Sequence, residues 1–202
     1  MHGARLCRAT GLPSFGQLWQ TRGSVRLAHA TVPSRMSRML ILMRHAKSGW
    51  GDALQPDHER PLNARGRRAA ASIGKWLAAR GHLPDEALVS SAARTRETWQ
   101  QLAAQLPTPP EAELVSALYN APAAGMLRIL RRGRGERTLL LGHNPGTTEL
   151  AAALARHRPA HPHFADFPTG ATLVMRFPIS DWSQLAAGTG EPCDFITPRE
   201  LD

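Results

Sequence analysis

The chain has 202 residues, 42% of them hydrophobic and 20% charged, with a net charge of +9. This suits one globular domain, or one domain plus a tail; it excludes a wholly disordered chain and, with 17 Gly and 16 Pro scattered without period, a collagen-like rod. No apolar stretch approaches the roughly 18 residues that span a bilayer. Two cysteines are too few for a disulfide framework or a four-Cys zinc site, so a reducing compartment, the cytoplasm, is expected.

The charge is unevenly placed. Residues 1–38 contain six arginines (Arg5, Arg8, Arg22, Arg26, Arg35, Arg38) and no acid; the first acid is Asp52. Removing these six leaves 19 basic against 16 acidic side chains, a net of +3 for residues 39–202. The segment lacks hydrophobic periodicity and the continuous apolar core of a secretory signal. It reads as a poorly ordered basic N-terminal extension. An organelle transit peptide and an over-long start ahead of Met36 or Met39 both fit that composition.

From residue 39 onward strands and helices alternate. Met39–Met43 is a continuous apolar run, as in a strand buried on both faces. Leu62–Arg80 reads as a helix capped by Asn63, with Ile73, Trp76 and Leu77 on one face and Gly81 as its stop. A short strand over Ala87–Ser90 follows, then a helix over Ala92–Leu106 halted by Pro107. A third helix spans Pro122–Arg132, a buried strand Thr138–Leu141, a fourth helix Thr147–Arg156 and a last strand Ala171–Phe177. This order predicts one α/β domain, a three-layer sandwich with a mostly parallel central sheet flanked by helices.

Ligands of such sheets bind beyond the carboxyl ends of the strands. Three strands are followed there by reactive residues: Arg44-His45-Ala46-Lys47-Ser48, Ser90-Ser91-Ala92-Ala93-Arg94 and Gly142-His143-Asn144-Pro145. Two guanidiniums and two imidazoles suit a phosphoryl group. Guanidinium forks onto phosphate oxygens and keeps its charge. A neutral imidazole can attack phosphorus, and a second can donate to the equatorial oxygens in the transition state. Cations supplied by the protein remove the demand for a metal or other cofactor, and no P-loop or His-Glu-x-x-His motif occurs.

Met43-Arg44-His45-Ala46-Lys47-Ser48 resembles the Arg-His-Gly/Ala signature of the histidine phosphatase (phosphoglycerate mutase-like) superfamily, in its SixA-type phosphohistidine phosphatase version. The resemblance continues through Arg60–Gly66, Ser90–Thr98, Leu118–Ala121, Gly142–Gly146, Pro168–Ala171 and Thr197–Leu201, so it covers residues 39–202. It implies the phosphoglycerate mutase-like fold, with His45 as the phosphorylated nucleophile and Arg44, Arg94 and His143 completing the phosphate pocket. Ser48 and the Asn144 backbone are further candidates to line it. It also implies a phosphohistidine-containing protein as substrate and inorganic phosphate as product.

The proton donor found in many members has no obvious counterpart, because Ala117 stands where an acid is expected. Asp57 is the first choice, with Glu59 and Glu113 as alternatives. A phosphohistidine ring leaves as imidazole, whose conjugate acid has a pKa of roughly 6.5, so it depends less on an enzymic acid than an alkoxide does. A small-molecule phosphomonoesterase and a non-catalytic phosphate-binding module are the rival readings. His157, His161, His163 and Asp166 read as solvated loop residues rather than metal ligands. Cys7 and Cys193 read as incidental, and Trp76 and Trp99 as core. Nucleic acid and membrane are not expected partners, since the excess charge lies in the extension and no aromatic platform accompanies it.

Overall fold

The computed structural model describes residues 37–49 and 54–201. The expected extension and the two rival accounts of it lie outside the described residues, except at its end. There the first strand begins one residue earlier than expected, at Arg38, whose guanidinium pairs with Glu136 at 4.0 Å.

Among the described residues are six strands and four α-helices, alternating as far as the fifth strand. Strand β1 is Arg38–Arg44, α1 is Ala64–Arg80, β2 is Glu86–Ser90, α2 is Ala93–Ala103 and β3 is Ala112–Val115. Then come α3 (Ala123–Leu130), β4 (Arg137–Gly142), α4 (Gly146–Leu154), β5 (Thr172–Phe177) and β6 (Glu191–Ile196). The sheet order is β3-β2-β4-β1-β5-β6. Strands β3, β2, β4 and β1 pair in parallel; β5 runs antiparallel to β1, and β6 to β5.

The apolar runs behave as two-faced strands. Leu40 and Leu42 of β1, Leu140 of β4 and Leu173, Met175 and Phe177 of β5 pack with Met126, Leu130, Leu150 and Leu154 of α3 and α4. Ile41, Met43, Leu139, Leu141 and Val174 point the other way, onto Ile73, Leu77, Trp99 and Leu102 of α1 and α2. This alternation makes the three layers. Trp99 is buried as expected, whereas Trp76 is only partly buried at the margin of the second cluster.

Helix α1 starts two residues later than the apolar pattern suggests. Asn63 Oδ1 accepts from the Gly66 N–H at 2.8 Å, so Asn63 is the cap. Gly81 closes the helix in the left-handed conformation. Two strands were not legible. β3 is a four-residue, half-exposed edge, and β6 contains Pro192 and meets β5 through a register irregularity at Val174/Met175. Proline lacks the ladder N–H and is confined to edges and bulges, which is where β6 lies. Phe177 therefore does not end the last strand of the domain. Among the described residues no helix is long and apolar enough to cross a membrane.

Candidate active site

Strands β2, β4 and β1 are parallel neighbours, so the loops at their carboxyl ends share one rim. The His45 N–H donates to the Gly142 carbonyl at 3.1 Å, and the His45 and His143 rings lie 5.2 Å apart by centroid. The loop before β5 braces them: the Gly170 N–H donates to the carbonyls of Arg44 (3.2 Å) and His45 (3.0 Å).

His45 is 7% exposed. Its Nδ1 lies 2.8 Å from the Ala46 carbonyl. A carbonyl only accepts, so Nδ1 carries the proton and Nε2 keeps its lone pair. Burial pushes the imidazole pKa down to about 3; the charges of Arg94, Arg44 and Arg60 push the same way, against the Ala46 hydrogen bond. The ring is therefore neutral near pH 7, in the form a nucleophile needs.

His143 is 2% exposed, and its pKa is also lowered to about 3, by burial first and then by His45 and Arg94. The Ser90 hydroxyl lies 2.8 Å from Nε2, while the buried Nδ1 has no hydrogen-bond partner among the described residues. When Ser90 donates to Nε2, Nδ1 holds the proton and can donate to a phosphoryl oxygen.

The guanidiniums are aimed by backbone. Arg44 donates from Nη1 to the Phe167 carbonyl at 3.0 Å, and Asn144 Nδ2 donates to the same oxygen at 3.2 Å. Phe167 is a fully buried non-glycine residue with φ of 39°, a left-handed conformation that such residues keep only where the surroundings impose it. Arg94, 3% exposed in the first turn of α2, donates to the Asp57 carbonyl (2.6 Å) and carboxylate (3.0 Å). The Nε atoms of Arg44 and Arg94 are buried without a hydrogen-bond partner among the described residues. Donors so placed suit an anion.

Asp57 reaches this pocket, but as an ionised acceptor. Tyr119 Oη donates to its carboxylate at 2.7 Å, and Arg60 pairs with it at 3.2 Å. The Tyr119 hydrogen bond and the Arg94 and Arg60 charges outweigh partial burial and hold the carboxyl below its ordinary range. Tyr119 also packs edge-on against His143, 5.5 Å between centroids, with the Arg94 guanidinium 5.7 Å from its ring centre. Glu59 is exposed on the same short turn, and Glu113 lies on edge strand β3.

The structure thus brings together Arg44, His45, Arg94, His143 and Asp57. The Asn144 side chain also donates to the Asp166 carbonyl at 3.3 Å. Ser48 is buried and bridges Leu62, and no hydrogen bond among the described residues joins it to the histidines or arginines. Sequence reasoning missed Ser90, Arg60, Tyr119 and Phe167 as site residues. The first three stand inside the quoted motifs, which was the available signal; Phe167 contributes a carbonyl, for which side-chain identity gives none.

The loop histidines have acidic neighbours: His161 with Glu200 at 3.1 Å, His163 with Asp166 at 3.8 Å and His157 with Glu191 at 3.9 Å. Among the described residues no three His, Cys, Asp or Glu side chains gather as a metal site. Cys193 is a free thiol in β6, and Cys7 lies outside the described residues.

Residues 40–120 match the profile of the histidine phosphatase superfamily (branch 1). An uncharacterized protein of Mycobacterium tuberculosis is 35% identical over 164 residues, covering 78% of this chain and all of that protein. A proposed phosphohistidine phosphatase SixA of Nakamurella multipartitia superposes with a TM-score of 0.68 at 30% identity, covering 80% of this chain and 96% of that one. A second proposed SixA, from Agrobacterium tumefaciens, gives 0.65 at 26% identity, covering 80% and 98%.

Proposed function

The chain belongs to the histidine phosphatase superfamily, and we propose that it is a metal-independent phosphatase that removes phosphate from phosphohistidine on proteins through a phosphorylated His45. The observation that carries this is the His45 ring: neutral, with Nδ1–H spent on the Ala46 carbonyl and Nε2 left as the lone-pair nitrogen beside Arg44, Arg94 and His143. The arginines supply the positive charge that transferring phosphate requires. The SixA likeness supports the phosphohistidine substrate.

In the first step Nε2 of His45 attacks phosphorus, and the bond from phosphorus to the substrate nitrogen breaks. A substrate ring protonated on its other nitrogen leaves as neutral imidazole. Water then attacks phospho-His45, the P–Nε2 bond breaks, and inorganic phosphate leaves with His45 in its starting tautomer. Arg44 and Arg94 hold the phosphoryl oxygens, and His143 donates to one of them as negative charge shifts.

Asp57 enters this scheme through Arg94. A phosphoryl dianion competes with Asp57 for that guanidinium, and its negative charge raises the carboxyl pKa. Asp57 can then carry a proton for a leaving group that needs one. That placement also favours a second reading, a small-molecule phosphomonoesterase.

Wild type and His45→Ala are to be compared on a phosphohistidine protein and on a panel of phosphate monoesters. The proposal expects turnover of the first by wild type only. Equal phosphate release by both variants contradicts the nucleophile, and brisk monoester turnover with no action on phosphohistidine contradicts the substrate. An Asp57→Asn variant that keeps full rate on monoesters removes Asp57 as proton carrier.

A further inference from the structure

Beside the catalytic rim lies a second cavity, of about 190 Å³, whose walls include Lys47, Arg65, His163, Arg199, Thr169 and Thr197. Among the described residues none that lines the cavity is an acid. Lys47, Arg65 and Arg199 form no ion pair among the described residues, although ten pairs occur away from the cavity walls. Two carboxylates beside wall residues have partners of their own. Glu200 accepts from the Thr197 N–H (2.8 Å), the Thr197 hydroxyl (2.7 Å) and His161 (3.1 Å), and Asp166 lies 3.8 Å from His163.

The cavity is joined to the catalytic loop by backbone. Lys47 follows His45 by two residues, and its carbonyl accepts from the Asn63 N–H at 3.1 Å. A Cβ at Gly66 would meet that carbonyl oxygen at a distance real contacts never reach, so only glycine lets α1 sit this close. Thr169, another wall residue, precedes Gly170, whose N–H donates to the carbonyls of Arg44 and His45. Three cations without an ion pair among the described residues, set around a concavity, repel one another and focus a positive potential, an arrangement suited to an incoming anion.

We propose that this cavity is a second anion-binding site that receives a carboxylate side chain from the surface flanking the phosphohistidine of the protein substrate. It rests on the phosphohistidine reading and assigns Lys47, Arg65 and Arg199 to recognition rather than to chemistry. Charge at such a rim acts mainly on encounter and on discrimination between partners, and it weakens with salt.

The test is the double charge reversal Arg65→Glu/Arg199→Glu in the full chain. Hydrolysis is followed on two substrates, a phosphohistidine protein with acidic residues beside its phosphorylated histidine and the free amino acid phosphohistidine. The proposal expects kcat/KM on the protein to fall by about tenfold or more at low salt. The wild type approaches the variant as salt rises, and the rate on free phosphohistidine stays unchanged, which also shows that the variant is folded. Equal rates of wild type and variant on the protein overturn the site while leaving the phosphohistidine reading intact. A parallel loss on both substrates assigns the cavity to the phosphoamino acid itself or to folding, and overturns it as a protein-recognition site. Wild type inactive on both forms of phosphohistidine overturns the underlying reading and this proposal with it.

Discussion

In the parallel part of the sheet, the segments that leave β1, β2 and β4 carry Arg44, His45, Ser90, Arg94 and His143 to one rim. In the antiparallel part, β5 and β6 bring no such side chain there. The segment leading into β5 contributes backbone instead, the Phe167 carbonyl under Arg44 and the Gly170 N–H under Arg44 and His45. Strand direction separates the roles: parallel neighbours pool their loop side chains at one end, and the antiparallel addition buttresses them.

Substitutions should divide along the same line. His45→Ala should lower turnover at least about a thousandfold, because the nucleophile itself is gone; steady-state phosphate release measures it. Arg94→Ala should cost about a hundredfold or more in kcat/KM, with loss of affinity for inorganic phosphate as product inhibitor. Ser90→Ala should cost about tenfold, since it leaves His143 Nε2 buried without its partner; its effect should fall on kcat more than on KM.

Acid should destabilise the domain through the two active-site imidazoles. Both pKa values lie near 3 in the fold, below the roughly 6.5 of the unfolded chain. Above about pH 6.5 both rings are neutral folded or unfolded and contribute no slope. Below it the unfolded chain binds protons that the folded chain refuses, so stability falls as pH drops towards 3. Urea midpoints at pH 7 and pH 5 should show the fall, and His143→Gln should reduce it. The smallest effect belongs to the antiparallel side. His82 lies 2.6 Å from Asp194 of β6, so His82→Ala should cost about 1 kcal/mol by urea unfolding and leave turnover unchanged. Lost turnover there would blur the division between the two parts.

Much of this was legible in the residues. Met39–Met43 and Thr138–Leu141 are apolar at every position or nearly so, and only a strand buried on both faces needs that. The reactive residues could be pooled because each follows such a strand. The edges were not legible: β3 is short and half polar, and Pro192 disguises β6. The neutrality of His45 was not legible, because burial is its first cause and burial depends on what the fold packs over the ring. Asp57 was reachable as a candidate, but the first cause that lowers its pKa is the hydrogen bond from Tyr119, 62 residues away in sequence.

The central claim is that Nε2 of His45 carries the phosphoryl group. Wild-type enzyme mixed with substrate, quenched in alkali within milliseconds and digested for mass spectrometry and phosphorus NMR, tests it directly. The account predicts phosphate on Nε2 of His45, formed and lost at rates compatible with turnover and absent from His45→Ala. Turnover with His45 unmodified, or phosphate on another residue, would contradict it.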